Sequence, residues 1–357
     1  MVVSALQHAP NPFSFSFTYH FTAPALPPST TARRSSSARA PARSPMAVSS
    51  VRIAVVGDVH DQWDLEEDTK ALHFLKPDLV LFTGDFGDEN VELVRSVAKL
   101  EFAKAIILGN HDSWFTQQFS GKRKDSVQLQ LECLGAEHVA YQRLDYPQLK
   151  LSIVGGRPFS CGGEKLFRKK LLSAGFGVED IDQSARRIYK AAMGAPEDHL
   201  VILLAHNGPT GLGSNIDDIC GKDWDLGGGD YGDPDLTKAI SELKESAKLC
   251  IPLVIFGHMH KELAHGNGLR KMIVVGDDGI IYLNGAIVPR VRSLTSELTG
   301  DTSLNSNEAP HSDLGSTRAY TTVDISDGRV TKIAECWVSV VGEMTKLQEE
   351  HVLLSVA

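Results

Sequence analysis

The chain has 357 residues, of which 42% are hydrophobic and 23% charged, and its formal net charge is −9. That length and balance suit one large α/β domain or two modest ones, with a sizeable core. The acidic excess argues against sequence-independent nucleic-acid binding, which needs a basic face to displace phosphate counterions, and five cysteines, odd in number and without CxxC pairing, argue against a disulfide framework.

Residues 1–50 contain no Asp or Glu, are rich in Ser, Thr, Ala and Pro, and hold their arginines late, at Arg33, Arg34, Arg39 and Arg43. This is the composition of a transit peptide. The stretch FSFSFTYHFTAP alternates aromatic and polar residues, so the continuous apolar segment of a secretory signal is missing. An uncharged start followed by a basic block favours a plastid over a mitochondrion. The expectation is a disordered leader cleaved near Met46 to Val51, with the mature protein in the chloroplast, in the stroma. No run of about eighteen apolar residues occurs, so no membrane span is expected.

From residue 51 short apolar runs alternate with helical patterns. RIAVVGD is followed by LEEDTKALHFL, DLVLFTGD by ENVELVRSVAKL, and AIILGN by DSVQLQLECL. Such alternation predicts an α/β fold. Further strands are predicted at 151–156, 201–207, 252–258, 272–288, 319–325 and 329–340, and further helices at 178–193 and 234–247. The turns GDDG and SDGR suit hairpins, so the second half reads as more antiparallel than the first. The polar, turn-rich stretch 295–318 reads as a mobile loop.

One event recurs where strands end. Asp58 and His60 follow the first strand, Asp85 the second, Asn110 and His111 the third, His206 a later one, and His258 and His260 the next. In open α/β sheets the carboxyl ends of parallel strands open on one crevice, so these side chains should converge. Carboxylates, an amide and imidazoles together suit two borderline metal ions. The pairs Asp58/His60 and His258/His260 are spaced to share one face of an extended backbone. Asp85 is the carboxylate able to bridge two cations about 3.5–4 Å apart. Glycines at 57, 84, 109 and 257, each directly before its polar residue, are expected to let the chain turn sharply there without a Cβ clash.

The blocks GDVH, GD, GNHD, H and GHMH, in that order between residues 52 and about 290, resemble the calcineurin-like metallophosphoesterases. The resemblance implies a four-layer α/β/β/α sandwich with two mixed sheets, spanning residues 51–345 and leaving 346–357 as a C-terminal tail. It implies that Asp58, His60 and His260 hold one divalent ion (Mn, Zn or Fe). Asn110, His206 and His258 would hold a second, with Asp85 bridging. His111 would stabilise or protonate the leaving oxygen and Asp88 would orient it. The activity implied is hydrolysis of a phosphomonoester, small phosphodiester or pyrophosphate by attack of a metal-bound water, without a covalent phospho-enzyme. A catalytically silent metal-binding scaffold on the same fold is the alternative.

Departures narrow the class. Glu89 follows Asp88, and Leu108 precedes Gly109, where protein Ser/Thr phosphatases place phosphate-clamping arginines. Asp88 stands where purple acid phosphatases carry a tyrosine, and Asp61 where Gly is common. The block GDVHDQW and the insert 207–236 resemble a plant and cyanobacterial subgroup of the family. The expected partner is a small phosphorylated substrate, with no nucleic acid and no membrane, and the oligomeric state is left open. Arg157, Trp63 and Trp114 are candidate substrate contacts. The insert 207–236 reads equally as a specificity loop or a solvated one.

Overall fold

In the computed structural model of the chain, the residues described are 50–225, 227–246, 249–266, 268–294 and 315–356. The expected leader, apart from Ser50, and residues 295–314 of the expected mobile loop lie outside them.

Strands β1 (Ser50–Val56), β2 (Leu79–Phe82) and β3 (Lys104–Ile106) pair in parallel, connected through helices α1 (Leu65–Leu75) and α2 (Val91–Ala98). Alternate residues of β1 serve two cores. Val51, Ile53 and Val55 pack with Leu79, Leu81, Leu253 and Ile255 between two sheets, whereas Ala54 and Val56 pack with Ala71, Leu72, Val94 and Val97 of the helices outside. Burial on both faces explains why these strands read as unbroken apolar runs. Helix α1 starts where the Asp64 side chain accepts the Glu67 N–H and stops at Lys76 in the left-handed region. Helix α3 (Ser126–Leu134) opens with a capping box between Asp125 and Gln128.

The second sheet is built from β4 (Arg143–Tyr146), β5 (Leu151–Gly155), β6 (Leu200–Leu204), β7 (Cys250–Phe256), β8 (Ile273–Val275) and β9 (Ile281–Asn284), in the order β4-β5-β6-β7-β9-β8. Helices α4 (Lys169–Phe176), α5 (Ile181–Ala192) and α6 (Pro234–Ser246) belong to this half. Strands β10 (Val291–Ser293), β11 (Ser316–Ser326), β12 (Arg329–Val341) and β13 (Met344–Ser355) return to the first sheet, whose path is β13-β12-β11-β1-β2-β3 with β10 on β11. Both sheets are mixed and carry helices, as a four-layer sandwich requires.

Two expectations change. Residues 346–355 are not a tail but most of β13, an edge strand paired antiparallel with β12. Residues 316–318 open β11 rather than close a loop. The second half is more antiparallel than the first, as expected, since β4/β5, β8/β9, β10/β11, β11/β12 and β12/β13 are antiparallel pairs, although β5, β6, β7 and β9 run parallel. Both GDDG and SDGR do join antiparallel pairs.

Candidate metal centre

The loops after β1, β2, β3, β6 and β7 meet at one end of the two sheets, and they bring the predicted side chains together in two groups. Ligand atoms of Asp58, His60 and His260 lie within 4.8 Å of one another, and so do those of Asp85, His206 and His258. Asn110 joins the second group, its Oδ1 standing 2.9 Å from His206 Nε2. Between the groups, His60 Nε2 lies 4.0 Å from Asp85 Oδ2.

Building this cluster requires unusual backbone. Asp58 (φ 29°), His60 (φ 43°), Asp85 (φ 50°) and His258 (φ 67°) all occupy the left-handed region, sparsely populated for residues with a side chain and concentrated at functional sites. The glycines beside them spare a Cβ clash, as expected, though most do so without a left-handed backbone. Only Gly84 has a positive φ, of 104°. At Gly109 a Cβ would fall 2.2 Å from Asp85 Oδ1 and 2.4 Å from His206, so the glycine makes room for the ligands rather than for a turn.

Fixed hydrogen bonds aim the groups. His206 Nδ1 donates to the Thr83 carbonyl at 2.7 Å, which leaves Nε2 to face Asn110 at 2.9 Å and Asp85 at 3.4 Å. Asp58 accepts the His258 N–H at 2.9 Å and the Thr83 hydroxyl at 3.2 Å. Asp85 Oδ1 accepts the His111 N–H at 2.8 Å.

The charge balance fits cations. Asp58 and Asp85 are fully buried, and among the described residues neither has a Lys or Arg partner. Burial works against ionising Asp58, but its hydrogen bond to His260 and the charge on His206 hold its pKa below the usual range. Burial opposes ionisation of Asp85 too, and His206 again outweighs it. His206 itself is desolvated, yet Asp85 and Asp58 raise its pKa. Burial, then the charge on His206, pushes His258 down to about 3. Two buried carboxylates leaning on one imidazolium form a donor set that divalent ions would neutralise directly.

Beside the two groups, His111 Nδ1 meets Asp88 Oδ1 at 2.6 Å, and Trp114 stacks on the imidazole with centroids 4.6 Å apart and planes 6° from parallel. Trp114 therefore borders the site. The other two candidate substrate contacts do not. Arg157 is 2% exposed and ion-paired to Asp233 at 2.6 Å and Asp235 at 3.1 Å, so it locks the end of the insert onto β5 and meets no ligand. Trp63 packs edge-on against Phe82 and donates its indole N–H to Ser96, a rim contact under α2. Glu89 is a latch, accepting the N–H groups of Phe115 and Thr116 where a phosphate-clamping arginine was absent. Asp61 is turned to Asn90 at 2.7 Å.

Three residues escaped the sequence reading. Asp112 is buried and accepts the backbone N–H of Asp85, Phe86 and Gly109 at 2.9, 2.9 and 2.7 Å, tying two ligand loops together. Its place in GNHD was its only signal. Arg270 donates to the carbonyls of His260, Asp218 and Gly221, clamping the insert against the loop after β7. Arg168 donates to the Ser113 carbonyl at 2.6 Å and to that of Trp114. A cavity of about 270 Å³ opens over Asp85, His111, His258 and His260, and its outer wall includes Asp223 and Trp224 of the insert. The insert thus borders the site.

One comparison, the family match, agrees with this geometry. A model of the calcineurin-like phosphoesterase family matches residues 51–262. No curated protein matches the chain in sequence. Among solved structures, a dimetal phosphatase from Danio rerio is similar at 10% identity, covering 86% of this chain and 99% of that one, with a TM-score of 0.44. A Streptococcus pneumoniae protein titled a predicted phosphoesterase is similar at 12% identity, with the same coverages and a TM-score of 0.31. The family match spans more than half of the chain and takes in every predicted ligand, so the chain belongs to the calcineurin-like phosphoesterases, hydrolases acting on phosphoric ester bonds.

Proposed function

We propose that this protein is a dinuclear phosphoesterase acting on a small phosphorylated substrate, a phosphomonoester or a small diester or pyrophosphate, and that it belongs to the plant and cyanobacterial branch of the family. The observation that carries the reading is the pair of adjacent ligand groups around two buried, otherwise uncompensated carboxylates. Asp58, His60 and His260 would hold one ion, and Asn110, His206 and His258 the other, with Asp85 between. Two divalent ions there would supply Lewis acidity, easing ionisation of water and offsetting charge on the phosphoryl oxygens.

The chain's own residues supply the rest. Asp88 holds His111 through Nδ1, and Trp114 covers one face of the ring, so Nε2 is left as the free nitrogen. In the imidazolium form that nitrogen donates a proton to the departing oxygen. No Ser, Thr or Cys lines the cavity among the described residues, which supports direct hydrolysis over a covalent ester on such a side chain. The ligand loops are fixed before substrate arrives by Asp112 and Thr83, a preorganisation that electrostatic catalysis requires. For location, the composition of residues 1–50 supports import into a plastid stroma, which a fluorescent fusion of the full chain would test.

The deciding experiment counts bound metals in the purified protein and assays p-nitrophenyl phosphate and its bis-ester with added Mn²⁺. About two ions per chain are expected, with turnover that drops roughly 10²–10⁴-fold in His111→Ala. Bound metal without turnover on either ester or on a nucleotide panel would instead establish the scaffold.

A further inference from the structure

The wall of the cavity opposite the metal ligands carries an asymmetry of charge. Its cation is Arg270, which is 4% exposed and directed at four carbonyls and at Asp223, 3.0 Å away. Asp223 is answered by that guanidinium and by the Ala264 N–H at 2.9 Å. Arg168, the cation nearest Trp114, is turned into backbone carbonyls. Glu262 is different. It is exposed, lines the cavity, and has no hydrogen-bonded or ion-paired partner for its carboxylate among the described residues. Two indoles complete the surroundings: Trp224, 52% exposed and braced edge-on by Tyr231, and Trp114, 42% exposed and stacked on His111.

A second cavity, of about 520 Å³, is also lined by Glu262. On its wall Glu335 is 2% exposed, with Oε2 bonded to Lys261 while Oε1 has no partner. A buried carboxylate oxygen without a donor is costly unless something supplies one. That second cavity is also lined by Arg292, which lies over the Trp337 ring and 3.4 Å from Glu349, so the charge asymmetry is a feature of the first cavity.

Resting on the phosphoesterase reading, we propose that the site selects phosphate esters whose leaving group is a ring carrying an amine or other cationic donor, and disfavours leaving groups bearing a second negative charge, with Glu262 as the specificity-determining residue. The metal ions would neutralise the scissile phosphate only. A distal carboxylate or phosphate would face Glu262 with no free guanidinium or ammonium in the cavity to receive it. An ammonium has both a carboxylate and the faces of two indoles available. Rejection by like charge is as much a part of such selectivity as attraction.

The test uses the full chain loaded with Mn²⁺ and three matched substrates: phenyl phosphate, 4-(aminomethyl)phenyl phosphate and 4-carboxyphenyl phosphate. The corresponding phosphonates, which cannot be hydrolysed, give affinities by calorimetry. The expected result is a kcat/KM about tenfold higher for the ammonium ester than for the carboxylate ester, the size of one well-placed charge contact, with the phosphonate affinities in the same order. Glu262→Lys should invert that ratio, Glu262→Gln should bring it near one, and Trp224→Ala should lower it through the ammonium ester. A wild-type ratio near or below one, or a ratio unmoved by Glu262→Lys, overturns the proposal. Absence of turnover on all three esters would count against the phosphoesterase reading instead, and the phosphonate affinities would then decide the charge preference alone.

Discussion

Asp112 concentrates three backbone donors on one buried carboxyl. It is the residue that sets the distance between the loop carrying Asp85 and the loop carrying Asn110 and His111. Burial, then the charge of Asp85, raises its pKa well above the carboxylate range. Replacing it with Ala would strand three buried N–H groups, each worth roughly 1–3 kcal/mol. We expect Asp112→Ala to lower thermal stability by at least about 3 kcal/mol and to reduce bound metal, measured by melting and by metal analysis of the dialysed protein. Full metal occupancy at unchanged stability would refute the role. Asp88 acts one step further out. Asp88→Asn keeps the shape but loses the anion on His111 Nδ1, and should lower kcat about 10- to 100-fold with metal content unchanged. A loss expressed in KM alone would show that Asp88 contributes to binding and not to orienting the imidazole.

At the scale of elements, the strand ends were legible because each ligand directly follows an apolar run, and the rule that parallel strands open on one crevice needs only their order. The caps of α1 and α3, Asp64 and Asp125, stand immediately before their helices, a local signal that the reading of the sequence did not use. What depended on distant partners was not legible. Arg157 ends a strand as a phosphate-binding arginine would, and only the fold reveals that Asp233 and Asp235, more than seventy residues later, consume its charge. The strand β13 is polar and almost wholly exposed, so its pairing with β12 left no hydrophobic alternation to read. The glycines were located from sequence, but whether each provides a turn or a gap depends on what packs against it. The corrected role of Arg157 carries its own prediction. Arg157→Met would leave two buried acids without a countercharge, at a cost of about 3–5 kcal/mol. The unfolding free energy extrapolated from urea titration should fall by that amount, and KM for p-nitrophenyl phosphate should stay within about twofold at temperatures where the variant is folded. A KM effect without a stability effect would return Arg157 to the substrate.

For the whole molecule, buried titratable groups outside the ligand set contribute to the response of stability to acid, and two of them oppose each other. Burial lowers the pKa of His138 to about 4, and its Nε2 accepts the Leu108 N–H at 3.3 Å just before the GNHD loop. A histidine with a folded pKa below its unfolded value is charged more readily when unfolded, so stability is lost as pH falls from about 6.5 toward 4. Asp233 behaves in the opposite sense. Burial raises it to about 7 against the pull of Arg157, so the folded state holds a proton that the unfolded state releases. Its contribution therefore grows as pH falls through that value toward the ordinary carboxylate range. Between pH 7 and 5 each amounts to roughly 2 kcal/mol, with opposite signs. The wild-type profile alone would separate neither group from the other, nor from His258, whose lowered pKa acts in the same sense as that of His138. The difference between two profiles isolates the histidine. His138→Gln keeps an acceptor for Leu108 and removes the titration, so urea unfolding should show the variant gaining about 2 kcal/mol on the wild type between pH 7 and pH 5. Parallel profiles for the two proteins would mean that His138 can take up a proton in place, and that acid sensitivity must be sought among the metal ligands instead.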